Sequence, residues 1–170
     1  MSTVDASLPA APRIDGPAPH LLVVQAPYYA EVVDRLRAGA ARILEQAGAS
    51  FDVLEVAGAL ELAGAIRLAV RAIGTGANPL EWGRRYDGFV AIGCVVRGET
   101  DHYDLVCREA MSGLSRVTLR FGLCVGNGLL TVARLEQAMA RSLPDGANKG
   151  AEAARAALLQ IRAARWLGAV

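Results

Sequence analysis

The stretch from Phe89 to Val117 constrains this chain more than any other. Phe89, Val90, Ala91 and Ile92 follow the turn-like Tyr86-Asp87-Gly88 and form a short β-branched run, the pattern of a strand covered on both faces. Tyr103, Val106, Cys107, Ala110, Met111, Leu114 and Val117 then recur at three- and four-residue steps, which is one face of a helix. Between them Gly93 to Asp104 reads GCVVRGETDHYD and crowds Arg97, Glu99, Thr100, Asp101 and His102 into a polar turn. Gly98 permits the backbone to turn sharply there. The first-turn amides of the helix have no partner within it, and with the helix dipole they make an anion site. His102 falls in that turn, where the positive helix end favours a neutral imidazole. An anion cradle beside a neutral proton carrier suits chemistry on a small phosphorylated molecule. The same residues also describe a solvated loop with Asp101 as an ordinary N-cap.

The rest of the chain repeats this strand-then-helix order. Leu21–Gln25 reads as a first strand, with Ala26-Pro27-Tyr28 as its turn, and His20 is a surface residue at its start. Tyr29, Val32, Val33, Leu36, Ala40, Ile43, Leu44 and Ala47 share a helix face that Gly48 stops. Phe51–Val56 forms strand two. Gly58–Glu61 turns into a helix carrying Leu62, Ile66, Ala69 and Ile73, ended by Gly74-Thr75-Gly76 and followed by a loop with Pro79 and Trp82. Leu123–Gly128 reads as strand four, with Thr131 capping a short helix through Arg141 that turns Leu135, Ala138 and Met139 inward. Asn148 caps a last helix carrying Ala151, Ala154, Leu158, Ile161 and Trp166. Such alternation predicts an α/β fold with a parallel sheet covered on both faces. Residues 1–19, with Pro9, Pro12, Pro17 and Pro19, read as a flexible arm, and 20–168 as a single domain.

Composition narrows the function. With 18 basic and 17 acidic residues and 5% aromatics, nothing points to nucleic acid. No stretch approaches the roughly 20 apolar residues of a membrane span, and the N-terminus lacks the features of a signal peptide. Cys94, Cys107 and Cys124 lie 13 and 17 residues apart, each within an apolar element. That fits neither a disulfide framework nor a zinc site, and points to buried thiols in a reducing cytoplasm. A count of only two histidines argues against a metal centre.

Ligands bind parallel sheets at the carboxyl ends of the strands, near the switch in strand order. Tyr28, Gly58–Glu61, Cys94–His102 and Asn127–Thr131 all read as following such ends, so four loops converge on one edge. Lys149, in the first turn of the last helix, opposes the dipole by about 0.3–1 kcal/mol. It reads as an exposed lysine or as a cation held for a phosphate, with Arg141 as a bidentate partner. Both lie on helix ends that face away from the strand-end loops of their own subunit, so they would complete a neighbour's site in an oligomer.

These motifs in order, GALE at Gly58–Glu61, RGETDHYD at Arg97–Asp104, GLLT at Gly128–Thr131, and Arg141 followed by NKG at Asn148–Gly150, resemble the lumazine synthase family over Leu21–Leu167. The resemblance implies a three-layer αβα sandwich with a four-stranded parallel sheet in the order 2-1-3-4. It implies condensation of 5-amino-6-(D-ribitylamino)uracil with 3,4-dihydroxy-2-butanone 4-phosphate, the penultimate step of riboflavin biosynthesis, without metal or cofactor. By position, Tyr28 would stack on the pyrimidine, Ala59, Leu60 and Glu61 would hold the ribityl chain, and Cys94, Val95 and Val96 would bond the pyrimidine through backbone groups. Glu99 and Thr100 would cradle the phosphate, Arg141 and Lys149 would clamp it, and His102 would move protons. The family's sites lie between subunits of a pentamer, free or in larger shells, with Arg141 and the Asn127 position supplied by the neighbour.

Departures are visible. Ala57 and Ala63 stand where prolines are usual, Leu60 where an aromatic is frequent, and Asn127 where a phenylalanine often closes the pyrimidine site. These leave the reacting groups in place but also suit a second reading, a weakly active or non-catalytic oligomeric scaffold that binds a ribityl-bearing pterin or flavin. A dinucleotide enzyme is disfavoured, because neither Gly-Thr-Gly nor Gly-Asn-Gly continues to a third glycine at the required step.

Overall fold

Four parallel strands carry the fold: β1 (His20–Ala26), β2 (Ser50–Glu55), β3 (Gly88–Val96) and β4 (Val125–Val132). The structure is a computed structural model and describes residues 10–73, 86–144 and 147–169. The helices are α1 (Ala30–Gln46), α2 (Glu61–Ile73), α3 (His102–Phe121), α4 (Leu135–Ala140) and α5 (Lys149–Trp166). The strands order as β2-β1-β3-β4, as the family resemblance implied. The Gly74-Thr75-Gly76 stop and the loop with Pro79 and Trp82 lie outside the described residues.

Alternation along β1 divides the core. Leu21 and Val23 pack with α1 and α5, whereas Leu22 and Val24 pack with α2 and α3. The expected α1 face, from Val32 to Leu44, is buried as read. Gly48 stops the helix with φ at 70°, a conformation that costs glycine little. Helices α1 and α5 come so close that a Cβ on Gly150 would stand 1.9 Å from the Leu36 carbonyl oxygen. Asn148 sits wholly buried at this crossing. Its Oδ1 accepts from the Ala151 amide at 3.0 Å, and its Nδ2 donates to the Arg35 carbonyl at 3.0 Å and the Leu143 carbonyl at 3.2 Å.

Three expectations need correction. Strand four does not end at Gly128; it runs from Val125 to Val132 and pairs with β3 from Phe89↔Val125 to Val96↔Val132. Gly128 had been read as the strand end, but it marks a close approach within the strand: a Cβ there would lie 3.1 Å from the Ala91 carbonyl oxygen and 3.2 Å from the Ala153 Cβ of α5, and one on Gly126 only 1.9 Å from the Ala153 carbonyl oxygen. Thr131 is therefore a strand residue and caps no helix. Arg134 takes the N-cap position of α4, where Gln137 Oε1 accepts from the Ala133 and Arg134 amides. Leu135 and Trp166, read as inward, are 41% and 85% exposed, since each stands at the end of its helix.

Residues 10–19 form no helix or strand, yet they lie along α5. Ala11 and Ile14 pack on the core, and Arg165 Nη1 donates to the Asp15 and Pro17 carbonyls, both at 2.8 Å.

Candidate active site

All four strands run the same way, so their carboxyl ends share one edge of the sheet. Connection order reverses between β1 and β3, and a cavity of about 380 Å³ opens there. The turn after β1 lines it with Tyr28 and Tyr29, and the turn before α2 with Gly58, Ala59, Leu60 and Glu61. The end of β3 adds Cys94, Val95 and Val96, and the turn into α3 adds Gly98, Thr100, His102, Tyr103 and Val106. Helices α2 and α3 both start at this rim and turn the positive ends of their dipoles to it.

Local geometry gives each wall a distinct character. Tyr28 is 78% exposed, propped edge-on by Tyr29 at 5.2 Å between ring centroids, so one ring face is free for stacking. The Ala59–Glu61 turn is held by the Glu61 amide donating to the Gly58 carbonyl at 3.3 Å. Cys94 sits in a buried position where desolvation pushes its thiol up to about 11, so it stays protonated and unreactive at neutral pH. Burial also raises the phenol of Tyr29, with Tyr28 and Cys94 adding to the effect.

The polar wall is the turn 98–101. Among the described residues, no hydrogen bond engages the amides of Gly98, Glu99 or Thr100. Three unpartnered backbone donors just ahead of α3 are the composition of an oxyanion cradle. Gly98 does not have the positive φ expected of a sharp glycine turn, and a Cβ there would meet nothing within 4 Å. Its glycine leaves the approach to these amides open. His102 is the first residue of α3, as expected, and stands exposed on the rim. Asp101 takes the N-cap position but its side chain makes no cap bond.

The structure gathers Tyr28, Ala59, Leu60, Glu61, Cys94, Val95, Val96, Thr100 and His102 around one cavity. Glu99, Asn127, Arg141 and Lys149 do not line it. Asn127 lies within β4, not in a strand-end loop, with its Nδ2 at 3.1 Å from Met111 Sδ and its Oδ1 accepting from the Leu129 amide at 3.0 Å. Arg141 Nη1 donates to the Gln137 carbonyl at 2.9 Å, and the Lys149 ammonium pairs with Glu152. Three loops therefore converge here, and not four. Tyr29, Tyr103 and Val106 also line the cavity; sequence reading had assigned them to helix faces, and only their place beside Tyr28 and His102 hinted at more.

Against this geometry, the family model described as 6,7-dimethyl-8-ribityllumazine synthase matches residues 18–165. The chain belongs to this family. It is 46% identical over 150 residues to the 6,7-dimethyl-8-ribityllumazine synthase of Agrobacterium fabrum, spanning 88% of this chain and 97% of that protein. It is 44% identical over 150 residues to 6,7-dimethyl-8-ribityllumazine synthase 1 of Rhizobium meliloti, over 88% and 94% of the two chains. The corresponding protein of Afipia carboxidovorans is 42% identical over 147 residues, 86% of each chain. The match to the lumazine synthase family begins before β1 and ends within α5, so it takes in every strand and all three cavity-lining loops. Among the described residues, no helix is long and apolar enough to cross a membrane.

Proposed function

We propose that this chain condenses 5-amino-6-(D-ribitylamino)uracil with 3,4-dihydroxy-2-butanone 4-phosphate, giving 6,7-dimethyl-8-ribityllumazine, inorganic phosphate and two waters. The observation that carries the reading is one cavity at the β1/β3 switch that combines a free aromatic face, a carboxylate, an imidazole and the unpartnered amides of Gly98 and Thr100.

In this reading the pyrimidine stacks on Tyr28 and reads the backbone at Cys94–Val96, while Glu61 holds ribityl hydroxyls. The phosphate rests on the amides of the 98–100 turn. The 5-amino group attacks the ketone and loses water to an imine, phosphate leaves, and the ribityl-bearing nitrogen closes the ring with loss of the second water. His102 moves protons between amine, carbinolamine and enol. Phosphate binding holds amine and ketone in register, which lowers the barrier through positioning, and the amides stabilise charge on the departing group.

Arg141, Lys149 and Asn127 belong to the site of an adjacent subunit in a cytoplasmic homopentamer. That none of the three lines this chain's own cavity supports the assignment, and a guanidinium is the natural bidentate partner for the phosphate. Incubating the purified protein with both substrates and following the lumazine chromophore tests the reading. Saturable product formation is expected, and no product at millimolar substrate would overturn it.

A further inference from the structure

The 98–101 turn presents an unexplained stiffness requirement. Its amides have no internal partners among the described residues, its N-cap side chain is idle, and Gly98 adds no rigidity. A cradle of this kind acts only if its donors are held in place before the ligand arrives.

What ties the ends of the turn together is Arg97. Its amide donates to the Val132 carbonyl at 2.9 Å, which extends the β3–β4 ladder one residue past Val96 and fixes the residue where the turn begins. Its guanidinium reaches across the turn to Asp104, the third residue of α3, through two parallel bonds: Nη2 to Oδ1 at 2.8 Å and Nη1 to Oδ2 at 3.1 Å. The same guanidinium lies over the Tyr103 ring, 4.2 Å from its centroid. A planar cation that stacks on one side chain and forks onto another has little freedom left. His102 and Tyr103, the two residues between the turn and Asp104, both line the cavity. Asp104 in the first turn of α3 also faces the positive helix end, so the pair does not compete with the dipole. The guanidinium holds Asp104's carboxyl below its ordinary range, which keeps the fork intact through neutral and mildly acid pH.

We propose that Arg97 and Asp104 are positioning residues for the condensation: together they form a brace that presets the 98–100 amides and the His102 imidazole for the phosphate-bearing substrate. Arg97 then acts on Asp104 and Tyr103, and its charge is not the group that binds phosphate. The inference rests on the proposed activity, which wild-type turnover tests separately in the same assay.

The experiment is steady-state kinetics of wild type, Asp104→Asn, Arg97→Gln, Arg97→Lys and the double variant Arg97→Gln/Asp104→Asn, with each substrate varied in turn. Both side chains are about half exposed, at 48% and 52%, so the fold should survive, and circular dichroism confirms it. The brace predicts that Asp104→Asn and Arg97→Gln each raise the KM for the butanone phosphate about tenfold while leaving the KM for the pyrimidine within about twofold. It also predicts that the double variant is no worse than either single one, and that Arg97→Lys, which keeps the charge but loses the fork, stays impaired. An effect of Arg97→Gln with none for Asp104→Asn, or rescue by Arg97→Lys, would mean that Arg97 binds phosphate directly and would overturn the brace. Equal rises in both KM values, or multiplying effects in the double variant, would also overturn it.

Discussion

His102 and Cys94 sit in the same cavity and answer to different physics. His102 stands exposed at the start of α3, beside the unpartnered amides, so its removal leaves binding groups intact and takes away a proton carrier. We expect His102→Ala to lower kcat about 10- to 100-fold with smaller changes in KM, measured by initial rates of product formation. Cys94 is the opposite case: only 5% exposed, with its thiol pushed up to about 11 by desolvation. Its folded pKa lies above the unfolded thiol value, so the protonated form favours the fold. The associated stability is fully present below pH of about 8.5 and is lost as pH rises towards 11. Thermal midpoints measured across that window should fall, and the fall should shrink in Cys94→Ala. Iodoacetamide at pH 8 should label the less buried Cys107 before Cys94; preferential labelling of Cys94 would contradict the buried setting.

At the scale of elements, the motifs near the C-terminus divide between packing and chemistry. Asn148 spans α1, the 142–143 segment and the first turn of α5 by four side-chain hydrogen bonds, all from a fully buried position. Asn148→Ala removes a cap and leaves buried carbonyls without donors, so it should cost about 2–4 kcal/mol in denaturant unfolding. A loss under about 1 kcal/mol would show that water replaces those bonds. Sequence reading found the cap because Asn before a helical run has a local meaning. It also found β1, α1, α2 and α3, where apolar spacing and turn residues agree. It stopped β4 at Gly128 because a glycine needed for close contact with α5 looks the same in sequence as one that ends a strand. It placed Thr131 at a helix start for the same reason, since the bonds that cap α4 come from Gln137, three residues past the helix boundary. The 98–101 turn and His102 were legible because a strand-to-helix turn leaves amides free wherever it occurs. The Arg97–Asp104 fork was not, because a pair seven residues apart across a strand-to-helix turn has no periodic signature.

For the molecule as a whole, the parallel sheet decides where function is built. Strand order β2-β1-β3-β4 places the reversal of connection between β1 and β3, and three loops from separate parts of the chain meet there. The two helical layers bury the sheet from opposite sides, which leaves the carboxyl edge as the open approach to strands otherwise covered. Glu99, Arg141 and Lys149, which the family resemblance assigned to phosphate, lie off this cavity, and the proposed reading places Arg141 and Lys149 in the site of a neighbouring subunit. Neutralising Arg141 as Arg141→Gln should therefore raise the KM for the phosphate-bearing substrate about tenfold without altering the monomer's fold, as read by kinetics and circular dichroism. The central claim is that substrate binds at the β1/β3 switch, with its phosphate on the turn that precedes α3. An electron-density map of crystals soaked with a phosphate-bearing substrate analogue tests it most directly. The account predicts density for the ring against Tyr28 and for the phosphate within hydrogen-bond distance of the Gly98–Thr100 amides. Density at any other place, with that turn unoccupied, would contradict it.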